Sequence, residues 1–206
     1  FVGLGIGLSA LVSALMLTVF QSQLIYFLMH GRLWLMIATF AELALVFVAS
    51  SMAAKNSPAA LPVFLVYSLL NGFTLSFVVA FYTPGTVLSA FVSSALLFFV
   101  MAAIGIFTKK DLSGMGRALM AALVGLIIAM VVNLFLANSF FDYMISIAMV
   151  LVFSGLIAWD NQKIRYVYEQ SRGQVATGWI ISMALSIYLD FINLFLSILR
   201  IFGRND

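Results

Sequence analysis

The sequence predicts an all-α integral membrane protein, seven transmembrane helices in a single domain over residues 1–206. Three observations carry this. Apolar runs of about the ~20 residues needed to span a bilayer recur along the chain with short breaks. Only 8% of the residues are charged and 65% are apolar, at a mean hydropathy of +1.18. A soluble domain carries about 25% charged residues, so this surface must face lipid. Finally, two acids, Glu42 and Asp190, fall near the middles of apolar runs. A carboxylate there costs at least ~2.5 kcal/mol unless it looks into protein or a wet cavity.

The spans are expected at about 1–20, 33–53, 60–82, 86–107, 117–137, 140–160 and 178–202. The first opens with Gly3, Gly7, Ala10 and Ala14, a small-residue seam of the kind that lets membrane helices approach closely. Phe1 is not an initiator methionine, so a preceding tail is expected. Residues 21–32 read as a connection holding His30, an interfacial residue without a role. The second span carries Glu42, and its stripe-mates Ala38, Thr39, Ala49 and Ala53 are small. Pro62 falls in the first turn of the third span, where its missing N–H does no harm. That span holds a polar patch at Ser68, Asn71, Gly72, Thr74 and Ser76, and Tyr82-Thr83-Pro84-Gly85 makes a short turn into the fourth. The fifth shows Ala118, Ala122, Gly125, Ala129 and Asn133 along one face, read as a packing surface with an inward asparagine. The sixth ends at Trp159-Asp160, where a solvated carboxylate is ordinary.

The seventh span is the most informative. Ser182, Ser186, Asp190, Asn193, Ser197 and Arg200 recur at spacings that average the ~3.6 residues of a helical turn, so all six share one face. Orientation follows from the basic residues. Lys55, Lys109, Lys110, Arg117, Lys163, Arg165 and Arg172 fall on one side, and Arg32, Arg200 and Arg204 on the other. The positive-inside rule then predicts a cytoplasmic N-terminus.

The composition excludes several chemistries. There are no cysteines, so disulfides, thiol catalysis and cysteine-ligated metal are out. No basic run exceeds Lys109-Lys110, which argues against a nucleic-acid partner. Intramembrane acids mark ion or proton pathways by default, and inward Ser186, Asn193, Asn71 and Asn133 would line such a path with Glu42. If Asp160 and Asp190 share a site they would titrate as a unit. Ionised, they would offer the hard oxygens that Ca²⁺ takes, with carbonyls and water completing a shell of about 6–8. Sequence depth alone does not pair them, because Asp160 reads as a boundary residue and Asp190 lies ~18 Å along its helix.

The run Tyr188-Leu189-Asp190-Phe191-Ile192-Asn193-Leu194-Phe195, with Leu199-Arg200 and Phe202-Gly203 after it, resembles the C-terminal signature of the Bax inhibitor-1 family, the transmembrane Bax inhibitor motif proteins. The stretch from Thr108 to Gly116 and the segment Ala158-Trp159-Asp160-Asn161-Gln162-Lys163 are similar to a bacterial form of it. The resemblance implies a fold with the seventh helix central and six around it. It implies a pH-sensitive Ca²⁺ leak through the bacterial inner membrane, with Asp160 and Asp190 as gate and tentative Ca²⁺ site. H⁺ and Ca²⁺ are then the implied ions, and no cofactor is implied. Some relatives carry an arginine at the end of the second helix; here only Lys55 is nearby, with Arg200 as the other candidate counter-charge.

Two other classes compete. The chain would act as a stress-response regulator binding membrane proteases or other partners, as the family name implies for eukaryotic members. Alternatively, paired aspartates suit an intramembrane aspartyl protease. Asp160 follows Trp159, however, and no Gly-x-Gly precedes Asp190, so an enzyme is not expected.

Overall fold

The computed structural model describes residues 1–205, and the side chains of all of these except 32–35 and 205. Arg32, counted in the charge asymmetry, therefore has a side chain outside the described residues. The described chain is helical, with no strand among those residues: α1 (Val2–Thr18), α2 (Gln21–His30), α3 (Arg32–Ala54), α4 (Ala60–Val79), α5 (Pro84–Phe107), α6 (Ser113–Leu136), α7 (Ser139–Gln170) and α8 (Thr177–Phe202), with a 3₁₀ turn at Gly203–Asn205. Six of these helices are long and apolar enough to cross a membrane, and α1 with α2, bent by 88° at their junction, brings the number to seven if the pair is one span.

Local chemistry sets several of the ends. Pro84 begins α5, and the Thr83 hydroxyl at its N-cap accepts from the Thr86 N–H at 3.3 Å, leaving no orphan donor at the proline. Asn138 caps α7 in the same way, accepting from Phe141 N at 3.1 Å. Burial separates the helices by role. The apolar window of α8 is 67% buried, whereas that of α6 is 6% buried; the outward Ile127, Val131, Leu134 and Phe135 of α6 require hydrocarbon as their solvent.

Two segments differ from the sequence expectation. Residues 21–30 form α2 instead of a loop, because Leu24 is buried and the Phe27 ring packs edge-on against Phe73 (5.9 Å) and Phe77 (6.4 Å) of α4. Three turns of helix with one apolar face are stabilised by that contact, not by their length. The sixth span does not end at Asp160. It continues to Gln170 through NQKIRYVYEQ, where Gln162, Lys163, Arg165, Glu169 and Gln170 are good helix formers and Arg165–Glu169 make an i,i+4 pair at 3.5 Å. Loss of hydropathy marks where a helix leaves lipid, not where it stops.

The chain divides into two compact units, Phe1–Tyr82 with Val175–Tyr188, and Thr83–Gln174 with Leu189–Asp206. In the first, α1 and α3 both pack on α4. The small-residue seam of α1 is Gly5, Ser9 and Ser13, all buried, and not Gly3, Gly7, Ala10 and Ala14. A Cβ on Gly3 or Gly7 would meet nothing within 4 Å, whereas one on Gly5 would lie 2.9 Å from the Tyr188 ring. The serines decide this face, because their hydroxyls need partners that lipid lacks. At Gly72 of α4 a Cβ would stand 2.8 Å from Ser9 Cα, so the two backbones approach as only glycine allows. The stripe-mates of Glu42 behave as expected at Ala38, Ala49 and Ala53, all buried, while Thr39 is exposed.

In the second unit α5 and α6 pack on α7. A Cβ at Gly105 of α5 would lie 2.8 Å from the Ala158 carbonyl carbon. On α6 the packed face runs through Gly116, beneath Trp159, and Leu119, against Gly155. The predicted stripe is displaced from it: Ala118, Ala122 and Gly125 are exposed, because the larger leucines gain more by burial than the alanines. The connection after α5 is held by α7. Gln162 accepts from Leu112 N and donates to Lys110 O, both at 2.8 Å, and Arg165 donates to the Ile106 carbonyl.

Candidate functional site

The intramembrane acids belong to two separate polar clusters, one in each unit. In the second unit Asp160 of α7 and Asp190 of α8 are both buried, at 4% and 7% exposure. Asp160 is thus not the solvated helix-end carboxylate expected from its sequence position. Ten residues of α7 follow it to Gln170, and Asp190 lies thirteen residues beyond Thr177. At 1.5 Å per residue both stand about 15–20 Å from the connection between the helices, which removes the mismatch in depth. The carboxylates are near enough to repel each other electrostatically, and Asp190 Oδ2 has no hydrogen-bond partner among the described residues. Ile157 and Leu194 are fully buried, and Phe191 meets the rings of Phe91 (6.0 Å) and Phe98 (5.6 Å) edge-on. A buried anionic oxygen left without a donor is unfavourable, so the pair suits a group that arrives from outside, whether a proton or a cation.

Around this pair α8 presents its polar stripe selectively. Between Ile181 and Arg200 the positions that are not buried are 182, 186, 189, 193, 196 and 200, and Ser182, Ser186, Asn193 and Arg200 supply four of them. Asn193 donates to Leu189 O at 2.8 Å, and Ser197 donates to Asn193 O at 2.7 Å. Among the described residues no three of His, Cys, Asp or Glu gather as a metal cluster.

In the first unit Glu42 of α3 meets α4 at Thr74 and Asn71. Thr74 donates to its Oε1 at 2.5 Å, and the Asn71 side chain lies beside its carboxylate. Asn71 Oδ1 accepts from Tyr188 OH of α8 at 2.8 Å, Tyr188 OH meets Ser9 Oγ at 2.6 Å, and Ser9 Oγ donates to Ser68 O at 2.7 Å. The Tyr188 ring is fully buried between the edges of Phe64 (5.6 Å) and Tyr67 (5.7 Å).

The structure therefore brings Glu42 to Asn71, and Asp160 to Asp190. Asn133 joins neither: its amide bonds Asn138 N (3.3 Å) and O (3.2 Å) across the α6–α7 turn, and Asp160 lies about 33 Å further along α7 at 1.5 Å per residue. Lys55 is exposed at the C-cap of α3 and Arg200 half-buried in the last turn of α8. Sequence reasoning passed over Ser9 and Tyr188. The signal for Ser9 was Gly5, Ser9 and Ser13 at i,i+4, whereas a tyrosine in an apolar helix has no periodic signature.

Long apolar helices with lipid-type surfaces and buried carboxylates define a multi-pass α-helical membrane protein. Comparison with known proteins makes this particular. The family described as "Inhibitor of apoptosis-promoting Bax1" matches residues 1–206. The chain is 57% identical over 205 residues to an uncharacterized membrane protein of Streptococcus pyogenes serotype M1, covering 100% of this chain and 90% of that one. It is 47% identical over 201 residues to the uncharacterized protein YrjE of Lactococcus lactis, covering 98% and 86%. Over 181 residues it is 40% identical to the inner membrane protein YbhL of Escherichia coli K12, covering 86% and 77%. The chain belongs to the Bax inhibitor-1 family.

Proposed function

We propose that this protein is a pH-sensitive Ca²⁺ leak pathway, with Asp160 and Asp190 as the gate that protons and Ca²⁺ compete for. The observation that carries the reading is the buried pair itself: two interacting carboxylates on α7 and α8, one with an oxygen that no described donor satisfies. Protonation neutralises such a pair and removes its cation site; ionisation restores it, and the two acids titrate together. The half-buried polar positions of α8 support a wet path along it, with Ser186 and Asn193 as candidate lining residues. Glu42, Asn71 and Asn133 are further pathway candidates, and Lys55 and Arg200 are candidate counter-charges. The charge asymmetry of the connections supports a cytoplasmic N-terminus, and the name of YbhL supports an inner-membrane location.

The test is Ca²⁺ entry into liposomes containing the purified protein, followed with an enclosed indicator across a pH series. Flux that varies with pH, with the variation displaced or abolished in Asp160→Asn and Asp190→Asn, supports the gate. Absence of flux at every pH overturns the channel and leaves the regulatory role that binds membrane partners. Flux whose pH dependence is unchanged in both variants overturns the gate alone.

A further inference from the structure

We propose that Glu42 is a proton-binding site separate from the aspartate pair, and that its proton is registered as a reversal of hydrogen-bond direction along Asn71, Tyr188 and Ser9 to the Ser68 carbonyl. The inference concerns the first unit alone and does not rest on the Ca²⁺ reading.

It comes from counting protons. Three contacts run in series: Ser68 O to Ser9 Oγ at 2.7 Å, Ser9 Oγ to Tyr188 OH at 2.6 Å, and Tyr188 OH to Asn71 Oδ1 at 2.8 Å. A carbonyl only accepts, and each hydroxyl carries one proton. If Ser9 gives its proton to Ser68 O and Tyr188 gives its own to Asn71 Oδ1, both are used. The shortest contact, between the two hydroxyl oxygens, then holds no proton, and two lone pairs face each other at hydrogen-bond distance. Two donors cannot serve three contacts.

One arrangement fills all three. Tyr188 donates to Ser9, Ser9 donates to Ser68 O, and the Tyr188 oxygen accepts from Asn71. For this the Asn71 amide turns over, a change that leaves its heavy atoms in place. Its NH₂ then faces Tyr188 and its oxygen faces Glu42. An amide oxygen against a carboxylate is two acceptors in contact, which becomes a hydrogen bond only when Glu42 carries a proton. The missing donor is therefore the glutamic acid O–H. With Glu42 ionised, the amide points its NH₂ at the carboxylate, Tyr188 donates to Asn71, and the single Ser9 proton must choose between Tyr188 and Ser68 O. Thr74 suits the ionised state. It reaches both Glu42 Oε1 at 2.5 Å and Asn71 O at 3.0 Å, and its one proton goes to the carboxylate or, when that is protonated, to the carbonyl.

Among the described residues the ionisable groups coupled to Glu42 are Tyr67 of α4 and Tyr188 of α8. On α1 the facing group is Ser9, which does not titrate. On α2, His30 is exposed and stacks on Tyr26 at 5.1 Å. A protonated chain holds one more hydrogen bond between α1, α4 and the first half of α8 than an ionised one.

The sequence makes the test clean, because Glu42 and Glu169 are its only glutamates and the Glu169 side chain is 62% exposed. The full chain, labelled with ¹³C at glutamate carboxyls and held in lipid nanodiscs, is titrated from about pH 4 to pH 9 and followed by infrared difference spectroscopy. The expected result is a second labelled carboxylic-acid C=O band. It is lost in Glu42→Gln, retained when Asp160 and Asp190 are both changed to Asn, and shifted in frequency by Tyr188→Phe. Ser9→Ala shifts it in a variant that keeps the tyrosine, should Tyr188→Phe fail to fold. A spectrum in which every titrating labelled band survives Glu42→Gln overturns the site. A band whose frequency ignores the remote hydroxyl change overturns the relay.

Discussion

Tyr188→Phe removes one oxygen from a fully buried ring and tests whether the cluster in the first unit holds its helices together. The ring contacts with Phe64 and Tyr67 are kept, so packing is nearly unchanged and the loss is one of hydrogen bonding. Ser9 retains Ser68 O at 2.7 Å and Gly5 O at 3.1 Å, but Asn71 Oδ1 loses its donor. Leaving a buried acceptor unsatisfied costs about 1–3 kcal/mol, and interhelical hydrogen bonds in membrane proteins average ~0.6 kcal/mol with a ceiling of ~1.7. A destabilisation of about 1–2 kcal/mol is expected. Combined with Ser9→Ala in a double-mutant cycle, the coupling should be about 0.6 kcal/mol or more. Equilibrium unfolding in mixed micelles of increasing denaturing-detergent fraction measures both. A Tyr188→Phe cost below ~0.5 kcal/mol, the range of an ordinary surface substitution, with no coupling to Ser9, would refute the reasoning.

Gly105→Ala places a methyl group against the Ala158 backbone and should destabilise by about 1–3 kcal/mol, while Gly125→Ala, with nothing within 4 Å, should be neutral or stabilising by up to ~1 kcal/mol; thermal unfolding distinguishes them. Gln162→Leu removes the two bonds from Gln162 to the α5–α6 connection, and hydrogen exchange should show the Leu112 amide losing protection while the middle of α7 keeps it. Asp111 lies in that connection, where the Ser113 hydroxyl and backbone N–H, the latter at 2.9 Å, hold its carboxyl below its ordinary value of 3.8. A depressed value in the folded state means that its contribution to the start of α6 is present above the unfolded value and lost as pH falls through the folded one. Exchange at the Ser113 amide should therefore quicken, relative to the intrinsic rate, only on the acid side of 3.8, and Asp111→Asn should remove that step.

Much of the frame was legible in the sequence because hydropathy acts residue by residue. The extents of α3, α5 and α8 and the common face from Ser182 to Arg200 follow from run length and a 3.6-residue period. The packed faces of α1 and α6 were not legible. Both helices offer small residues on more than one side, and the side that is used depends on which neighbour brings a complementary surface: Tyr188 and Phe64 over Gly5, Trp159 over Gly116. Likewise α2 is a helix because α4 provides Phe73 and Phe77 as its partners.

The sequence by itself determined that this is a helical membrane protein with acids where lipid forbids unpaired charge, since the cost of charge in hydrocarbon is set by depth alone. Its C-terminal motif also carried the family. Only the tertiary structure decided what the acids meet. Asp160 became a buried neighbour of Asp190 because α7 runs on past its apolar stretch. Glu42 became the end of a chain of hydroxyls because Ser9, Asn71 and Tyr188, far apart in sequence, converge on one point. Hydropathy is a property of one segment, whereas a hydrogen bond needs two groups at about 2.8 Å, and that separation is set by the packing of helices against one another.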